Sequence, residues 1–114
     1  MKIIKRDGTE AQFNKTKIKQ AVVKSMRNGS GIYLPDIARL IANDAERYFE
    51  KQDEIPTIQK VEVYVYNRLI HYGQGLTAKA YEGYRAIQAF KKEASDTDEA
   101  ILGLVRGTNE EAIN

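Results

Sequence analysis

The alternation of hydrophobic and polar residues at the N-terminus predicts a β-hairpin. Two short runs suited to strands, near residues 2–6 and 9–13, flank the pair Asp7-Gly8. Asp-Gly between such runs favours a two-residue turn of type I′, a turn that needs positive φ at both central positions. The chain is therefore expected to begin with two antiparallel strands.

Four longer segments place apolar residues at i, i+3 and i+4 spacing, which is typical of amphipathic helices. The predicted helices cover residues 15–27, 35–51, 58–70 and 77–92. Residues suited to begin a helix stand at the start of each one, namely Asn14, Pro35, Thr57 and Thr77. Gly29 is expected to end the first helix in the left-handed conformation that favours glycine.

The apolar residues of the third and fourth segments decide two further predictions, the type of the third element and the buried face of the fourth helix. The run at 58–70, IQKVEVYVYNRLI, contains β-branched and aromatic residues that would also suit a strand. A helix is favoured because the run is long and lies between helices. In the fourth helix the predicted inward face holds Ala80, Tyr84, Ile87 and Phe90 or Lys91. The predicted fold class is α+β, mainly α.

Composition indicates one soluble globular domain and excludes several kinds of chemistry. The chain has 114 residues, of which 42% are hydrophobic and 30% are charged, as in ordinary domains. The absence of cysteine and the single histidine, His71, exclude disulfides, cysteine catalysis and Cys or His metal clusters within these residues. No apolar run approaches the ~18 residues of a membrane span, so no membrane partner is expected.

Charge is distributed unevenly along the chain. Residues 1–30 carry eight basic and two acidic residues, a net charge of +6, whereas residues 93–114 carry one basic and six acidic residues, a net charge of −5. A basic N-terminal third indicates a polyanionic partner such as a nucleotide, a nucleic acid or an acidic protein face. An equally good explanation at this point is that these lysines lie on solvent-exposed faces of helices.

Lys5, Arg6 and Lys17 are the candidate phosphate ligands. A hairpin followed by a helix would bring them close to a helix N-terminus with free N–H groups, where dipole, backbone donors and cationic side chains favour an anion. The alternative is that all three side chains face solvent. Neither a GxxxxGK[ST] loop nor a strand-linked GxGxxG is present.

Tyrosine usage adds a second binding signal, whereas catalytic signals are weak. Five tyrosines lie within twenty-one residues, namely Tyr64, Tyr66, Tyr72, Tyr81 and Tyr84. Their rings could stack on a nucleobase, or they could lie in the core with the hydroxyl at its rim. No serine has a convincing base partner, and no metal-ligand spacing is present. The sequence therefore favours binding over catalysis.

Three segments resemble the ATP-cone family. They are IIKRDGTE followed by FNKTKI in residues 3–18, IPTIQKVE in residues 55–62, and AKAYEGYR in residues 78–85. Their order and spacing match over about residues 2–92. The resemblance implies a short N-terminal β-hairpin that caps a four-helix bundle, in agreement with the pattern above. It also supports a helix at 58–70.

The resemblance implies a set of nucleotide-binding residues. The first strand would contribute Ile3, Lys5 and Arg6, and the first helix Lys17 and Ile18. The third helix would contribute Thr57 and Val61, at positions where the family often reads adenine. The last helix would contribute Lys79, Tyr84 and Lys91 to close the site.

The resemblance also implies a function and partners. The chain is most similar to the N-terminal regulatory domain of anaerobic ribonucleoside-triphosphate reductase, which senses ATP or dATP, with Mg²⁺, and is not itself catalytic. Residues 1–93 would be the cone and 94–114 an acidic linker towards a missing catalytic domain. That catalytic domain and a second cone in a homo-oligomer are the expected protein partners, in the cytoplasm. The alternatives are the cone of a nucleotide-responsive transcriptional repressor and a small basic helical domain that binds nucleic acid, although a nucleic-acid partner is not expected of a reductase cone.

Overall fold

A two-stranded sheet precedes four helices in the computed structural model, which describes residues 1–102 and the side chains of residues 1–91. The elements in chain order are β1 (Lys2–Ile4), β2 (Glu10–Gln12), α1 (Lys15–Asn28), α2 (Pro35–Glu50), α3 (Ile58–His71) and α4 (Gly75–Leu102). The predicted fold class, α+β and mainly α, is confirmed. None of the helices in this part of the chain combines the length and apolar character needed to cross a membrane.

The hairpin turn differs from the predicted type. The backbone N–H of Gly8 donates to the carbonyl of Lys5 over 3.0 Å, and the N–H of Lys5 donates to the carbonyl of Thr9 over 2.8 Å. Only Gly8 has positive φ, at 88°, so a type I′ turn is excluded. Asp7 accepts hydrogen bonds from the Thr9 backbone and hydroxyl. The result is a three-residue loop that ends in a left-handed glycine.

Strand β1 lies between β2 and the beginning of α3. Its Ile3 pairs with Ala11 of β2 in antiparallel register. On its other edge, the N–H of Ile4 donates to the carbonyl of Pro56 over 2.9 Å, and Ile4 forms a parallel bridge with Thr57. The hairpin is therefore hydrogen-bonded to the N-terminus of α3, which sequence spacing did not indicate.

The core is formed by one stripe from each helix together with Ile3. Val61, Val65 and Leu69 of α3 are at most 1% exposed and lie four residues apart, which confirms that this run is a helix. Val22 and Met26 of α1 have the same spacing and burial. Burying one such side chain contributes about 1.5–3 kcal/mol to folding. The buried residues of α1 and α3 therefore contribute much of the hydrophobic stabilisation of the fold.

Helix α4 departs from its predicted start and buried face. It begins at Gly75, and Thr77, the predicted N-cap, is a buried residue inside the helix. Ala78 and Tyr81 also face the core, whereas Ile87 and Phe90 are 56% and 69% exposed. The predicted inward face is therefore wrong for those two residues and for Lys91, which is also exposed.

A close contact with Gly29 positions the first turn of α4. A Cβ atom at Gly29 would lie 2.5 Å from the Cα of Thr77, so the two backbones meet where only glycine fits. Gly29 has φ of −92°, and the predicted left-handed cap is wrong at this residue. Gly31, with φ of 78°, adopts the left-handed conformation instead.

Two compact units are distinguished within the chain, Met1–Tyr84 and Arg85–Asn114. Helix α4 continues through the second unit to Leu102, so its predicted end near residue 92 is wrong. The boundary predicted between a cone at 1–93 and a linker at 94–114 stays a prediction. Residues 103–114, including part of the apolar ILGLV run, lie outside the described residues.

Candidate functional site

Lys5 and Lys17 are the two predicted phosphate ligands with exposed side chains. Lys5 lies where β1 enters the hairpin turn, and Lys17 lies in the first turn of α1. Their neighbours Lys2 and Lys15 pair with acidic residues, Glu10 and Glu46, over 3.3 and 3.1 Å. Within the described part of the chain, neither Lys5 nor Lys17 forms such an ion pair, so both ammonium groups can approach an anion.

Arg6 occupies a different environment from the two lysines. Its Nη2 donates a hydrogen bond to Oε2 of Glu62 on α3. The two side chains are only 20% and 14% exposed, so water screens this ion pair weakly. The pair joins the hairpin turn to the bundle and holds Arg6 against α3. Glu62 was not among the predicted site residues, because 56 positions separate it from Arg6 in the sequence.

The N-terminus of α1 has fewer free donors than expected. Oδ1 of Asn14 accepts hydrogen bonds from the backbone N–H groups of Thr16 and Lys17, over 2.9 and 3.4 Å. This confirms Asn14 as the predicted N-cap, and it occupies two of the donors that were expected to face a phosphate. The positive end of the helix dipole is still present there. Binding of an anion at this end therefore depends mainly on the cationic side chains.

The N-terminus of α3 adjoins the hairpin. Oγ1 of Thr57 accepts a hydrogen bond from the N–H of Lys60 over 3.2 Å, which confirms Thr57 as an N-cap. Val61 and Ile3 are buried in the same core cluster, with Ile18 packed against it. The Ile4–Thr57 bridge and the Arg6–Glu62 pair therefore place Thr57 and Val61 close to the end of β1, but Val61 is only 1% exposed.

The predicted residues of α4 are distributed differently. Lys79 lines a cavity of about 550 Å³ with Ser30 and Gly73, residues that follow the ends of α1 and α3. Since the 14 residues of α1 span roughly 20 Å, Lys79 lies at the opposite end of this helix from Lys17. Tyr84 is half-buried and ends the first unit, and Lys91 is an exposed residue of the second unit.

The family model described as the ATP cone domain matches residues 1–90. The chain belongs to the ATP cone domain family. The ATP cone is a nucleotide-binding regulatory module, with ATP and dATP as its allosteric effectors. No curated protein matches the chain. The match begins at the hairpin and covers every predicted contact residue except Lys91.

Two tyrosines of the cone take part in a network between α2 and α3 instead of facing a ligand. The Tyr72 hydroxyl donates to Oδ2 of Asp44 over 2.7 Å, and the Tyr64 hydroxyl donates to the Asp44 carbonyl over 3.3 Å. Arg68 donates to the same Oδ2 over 3.1 Å. These contacts confirm, for Tyr64 and Tyr72, the reading of a ring in the core with its hydroxyl at the rim.

Burial and charge change the pKa values of this network. Desolvation raises the pKa of the Tyr64 phenol, against the opposing effect of the Arg68 charge. A hydrogen bond with the Tyr72 hydroxyl is the main cause that raises the pKa of the Arg68 guanidinium. Both groups therefore keep their ordinary protonation states through neutral pH, and the network is a structural feature of the cone.

A larger cavity of about 730 Å³ lies between the end of α2 and the first half of α3. Its walls include Tyr48 and Tyr64, whose rings stack with centroids 4.8 Å apart. None of the predicted nucleotide-binding residues lines it. We place the candidate nucleotide site at the hairpin instead, because Lys5 and Arg6, two of the three candidate phosphate ligands, lie there.

Proposed function

We propose that this ATP cone senses adenine nucleotides for a ribonucleotide reductase, in the cytoplasm, with ATP permitting activity and dATP stopping it. The chain itself would carry no catalytic site. The proposal is supported by the family match over residues 1–90 and by the likeness of its motifs to the anaerobic enzyme. The observation that carries it is the joint between β1 and α3, where Ile4 bridges to Thr57 and Arg6, next to the exposed Lys5, pairs with Glu62.

The triphosphate would contact the hairpin side of the cone. Lys5 and Lys17 would supply point charges, and Arg6 the planar donors that suit phosphate oxygens. Mg²⁺ would accompany the phosphates, since it commonly binds through them and retains several waters. Among the described residues no group of three or more acidic or histidine residues could hold a metal ion.

Nucleotide sensing requires contacts that distinguish the two effectors. ATP and dATP share the triphosphate and the adenine, so contacts to those groups bind both alike and shift no conformational equilibrium. The difference must arise at the 2′ position, where one hydrogen bond is worth about 1–3 kcal/mol. That range equals typical allosteric coupling energies.

Thermal unfolding with and without nucleotides tests the sensing function. ATP or dATP at 100 times its dissociation constant is expected to stabilise the folded chain by about 2.7 kcal/mol, and GTP at the same concentration is expected to stabilise it less. The absence of any shift with either adenine nucleotide would contradict the proposal.

Coupling to an enzyme requires a second measurement. We expect the cone to act on the catalytic domain of a parent reductase, through a nucleotide-dependent change in oligomeric state. Light scattering with ATP and then with dATP measures that state directly. An identical mass in both conditions would argue against a signal transmitted by assembly of the cones.

A further inference from the structure

Two large apolar side chains are exposed in the second unit of the chain, Arg85–Asn114. Ile87 and Phe90 of α4 are 56% and 69% exposed. Side chains of this unit are described for residues 85–91, and no apolar residue among them belongs to the hydrophobic core or packs against it. The two side chains therefore form an apolar surface that the described core does not cover.

This surface has the spacing by which one helix packs along another. The α4 seam consists of Ile87, Phe90, Ala94, Thr97 and Ile101. Its steps of three and four residues alternate and average about 3.5, the hydrophobic repeat of coiled coils. Four of its five positions are apolar, and all five lie in one helix. A second helix is therefore the kind of partner that this face fits.

The charges of the same part of α4 are divided between two segments. Residues 85–92 carry three basic residues and no acidic residue, a net charge of +3. Residues 93–99 carry four acidic residues and no basic residue, a net charge of −4. A parallel pair of such helices would place like charges together, whereas an antiparallel pair places each basic segment beside an acidic one. Opposed helix dipoles favour the same orientation.

We propose that the α4 seam pairs with the α4 seam of a second copy of the chain, as an antiparallel two-helix coiled coil. With a twofold axis at residue 92, Phe90 lies opposite Ala94 of the second copy. Ile87 lies opposite Thr97 in the same register. Each large residue then meets a smaller one, as in interdigitated helix packing. This contact requires no nucleotide and goes beyond the proposed function.

Sedimentation equilibrium of the whole chain without nucleotide measures this pairing. The average mass of the wild-type chain is expected to rise with concentration towards twice the 12.9 kDa of one chain. Phe90→Gln is expected to weaken the association by about tenfold or more, because each dimer loses two buried aromatic rings. Val63→Gln is the matched control and is expected to associate like the wild type, since Val63 is 61% exposed on α3, in the first unit.

Disulfide crosslinking tests the orientation, because the chain has no cysteine of its own. Ala86→Cys and Ala100→Cys chains, one of them isotope-labelled, are mixed in equal amounts and oxidised. Each of these positions directly precedes a residue of the α4 seam, and the antiparallel register brings them to the same level. Mixed disulfides are therefore expected to exceed the half share that random pairing gives.

Three results would overturn the proposal. A wild-type chain that keeps the mass of a monomer at every concentration would leave this face to another protein, such as the catalytic domain of a parent enzyme. Equal weakening of the association by Phe90→Gln and Val63→Gln would place the contact elsewhere on the chain. An excess of disulfides between two like cysteines would refute the antiparallel orientation.

The folded state of the variants is checked by thermal unfolding. Phe90 lies outside the core, so Phe90→Gln is expected to unfold like the wild-type chain. If it does not, the wild-type mass and the crosslinking, which leave Phe90 in place, still decide the outcome. Every measurement is made without nucleotide, so a failure here leaves the proposed function standing, and a failure of nucleotides to stabilise the chain leaves this pairing standing.

Discussion

The cationic side chains near the hairpin differ in whether they form contacts that stabilise the fold. Arg6 is engaged with Glu62, whereas Lys5 and Lys17 are exposed and form no ion pair with any residue the structure describes. Lysine ammonium groups of this kind bind phosphate as mobile point charges. Their removal is therefore expected to affect ligand binding much more than folding.

We expect Lys5→Ala and Lys17→Ala each to weaken ATP binding by about tenfold, since a hydrogen bond to a charged group contributes roughly 1.5–3 kcal/mol. Affinity for dATP should fall by the same factor because the triphosphates are identical. Isothermal calorimetry measures both. Lys24→Ala, at an exposed position farther along α1, serves as the matched control, and unchanged ATP affinity in the Lys5 and Lys17 variants would refute their assignment.

Tyr64 supports a prediction about alkaline pH. Its raised pKa means that the folded state favours the neutral phenol. The resulting stabilisation is fully present below the unfolded pKa of about 10 and is lost as pH rises through the higher folded value. Urea denaturation across this range should show a shallower loss of stability for Tyr64→Phe than for the wild-type chain.

Tyr33→Phe provides the comparison for this pH series, because Tyr33 is 65% exposed. Its removal should leave the alkaline loss of stability close to that of the wild-type chain. If Tyr64→Phe and Tyr33→Phe gave the same pH profile, the burial of Tyr64 would not be responsible for the effect.

The position of a whole helix depends on a few close contacts that the spacing of its apolar residues does not reveal. Periodicity correctly identified all four helices, and Asn14 and Thr57 were correctly identified as caps, because these signals involve residues within one or two turns. The packing of the first turn of α4 depends instead on Gly29, which meets the backbone of Thr77. That contact joins segments far apart in the sequence, so the burial of Thr77 was not predicted.

Gly29→Ala is expected to destabilise the fold by about 1–3 kcal/mol, the usual cost of forcing extra atoms into a packed contact. The added Cβ would lie 2.5 Å from the Cα of Thr77, and backbone cannot move aside as a flexible side chain can. Chemical denaturation measures the change in the free energy of unfolding.

Gly83→Ala is the control for the same substitution without the contact. Gly83 lies within α4, and a Cβ there would meet nothing within 4 Å. Alanine has a higher helix propensity, so this variant should be more stable by about 0.5–1 kcal/mol. Equal effects of the two substitutions would show that close approach at Gly29 does not determine its cost.

Across the first unit of the molecule, both backbone and side-chain contacts join the hairpin to α3. The backbone of Ile4 bonds to Pro56, and the Arg6 side chain pairs with Glu62. A nucleotide bound by the cationic side chains at the hairpin would contact both sides of this joint. Ligand binding and the attachment of the hairpin to the bundle should therefore be coupled.

Arg6→Ala is expected to reduce the stability of the whole unit by about 1–3 kcal/mol, because it leaves the Glu62 charge in a weakly solvated position. The Arg6→Ala/Glu62→Ala double variant should lose less than the sum of the two single variants. Urea denaturation of the four chains completes this cycle. Additive losses would indicate that the ion pair does not stabilise the joint.

Sequence by itself determined the class of fold and the family of this protein, because strand alternation, helical spacing, caps and the three cone motifs are all local patterns. Tertiary structure alone decided that Arg6 pairs with Glu62, that Val61 is buried, and that Lys79 lies at the far end of α1 from Lys17. Each of these facts depends on which distant surfaces meet when the chain packs. The sequence therefore predicted the cationic residues of the candidate site but not its carboxylate, Glu62.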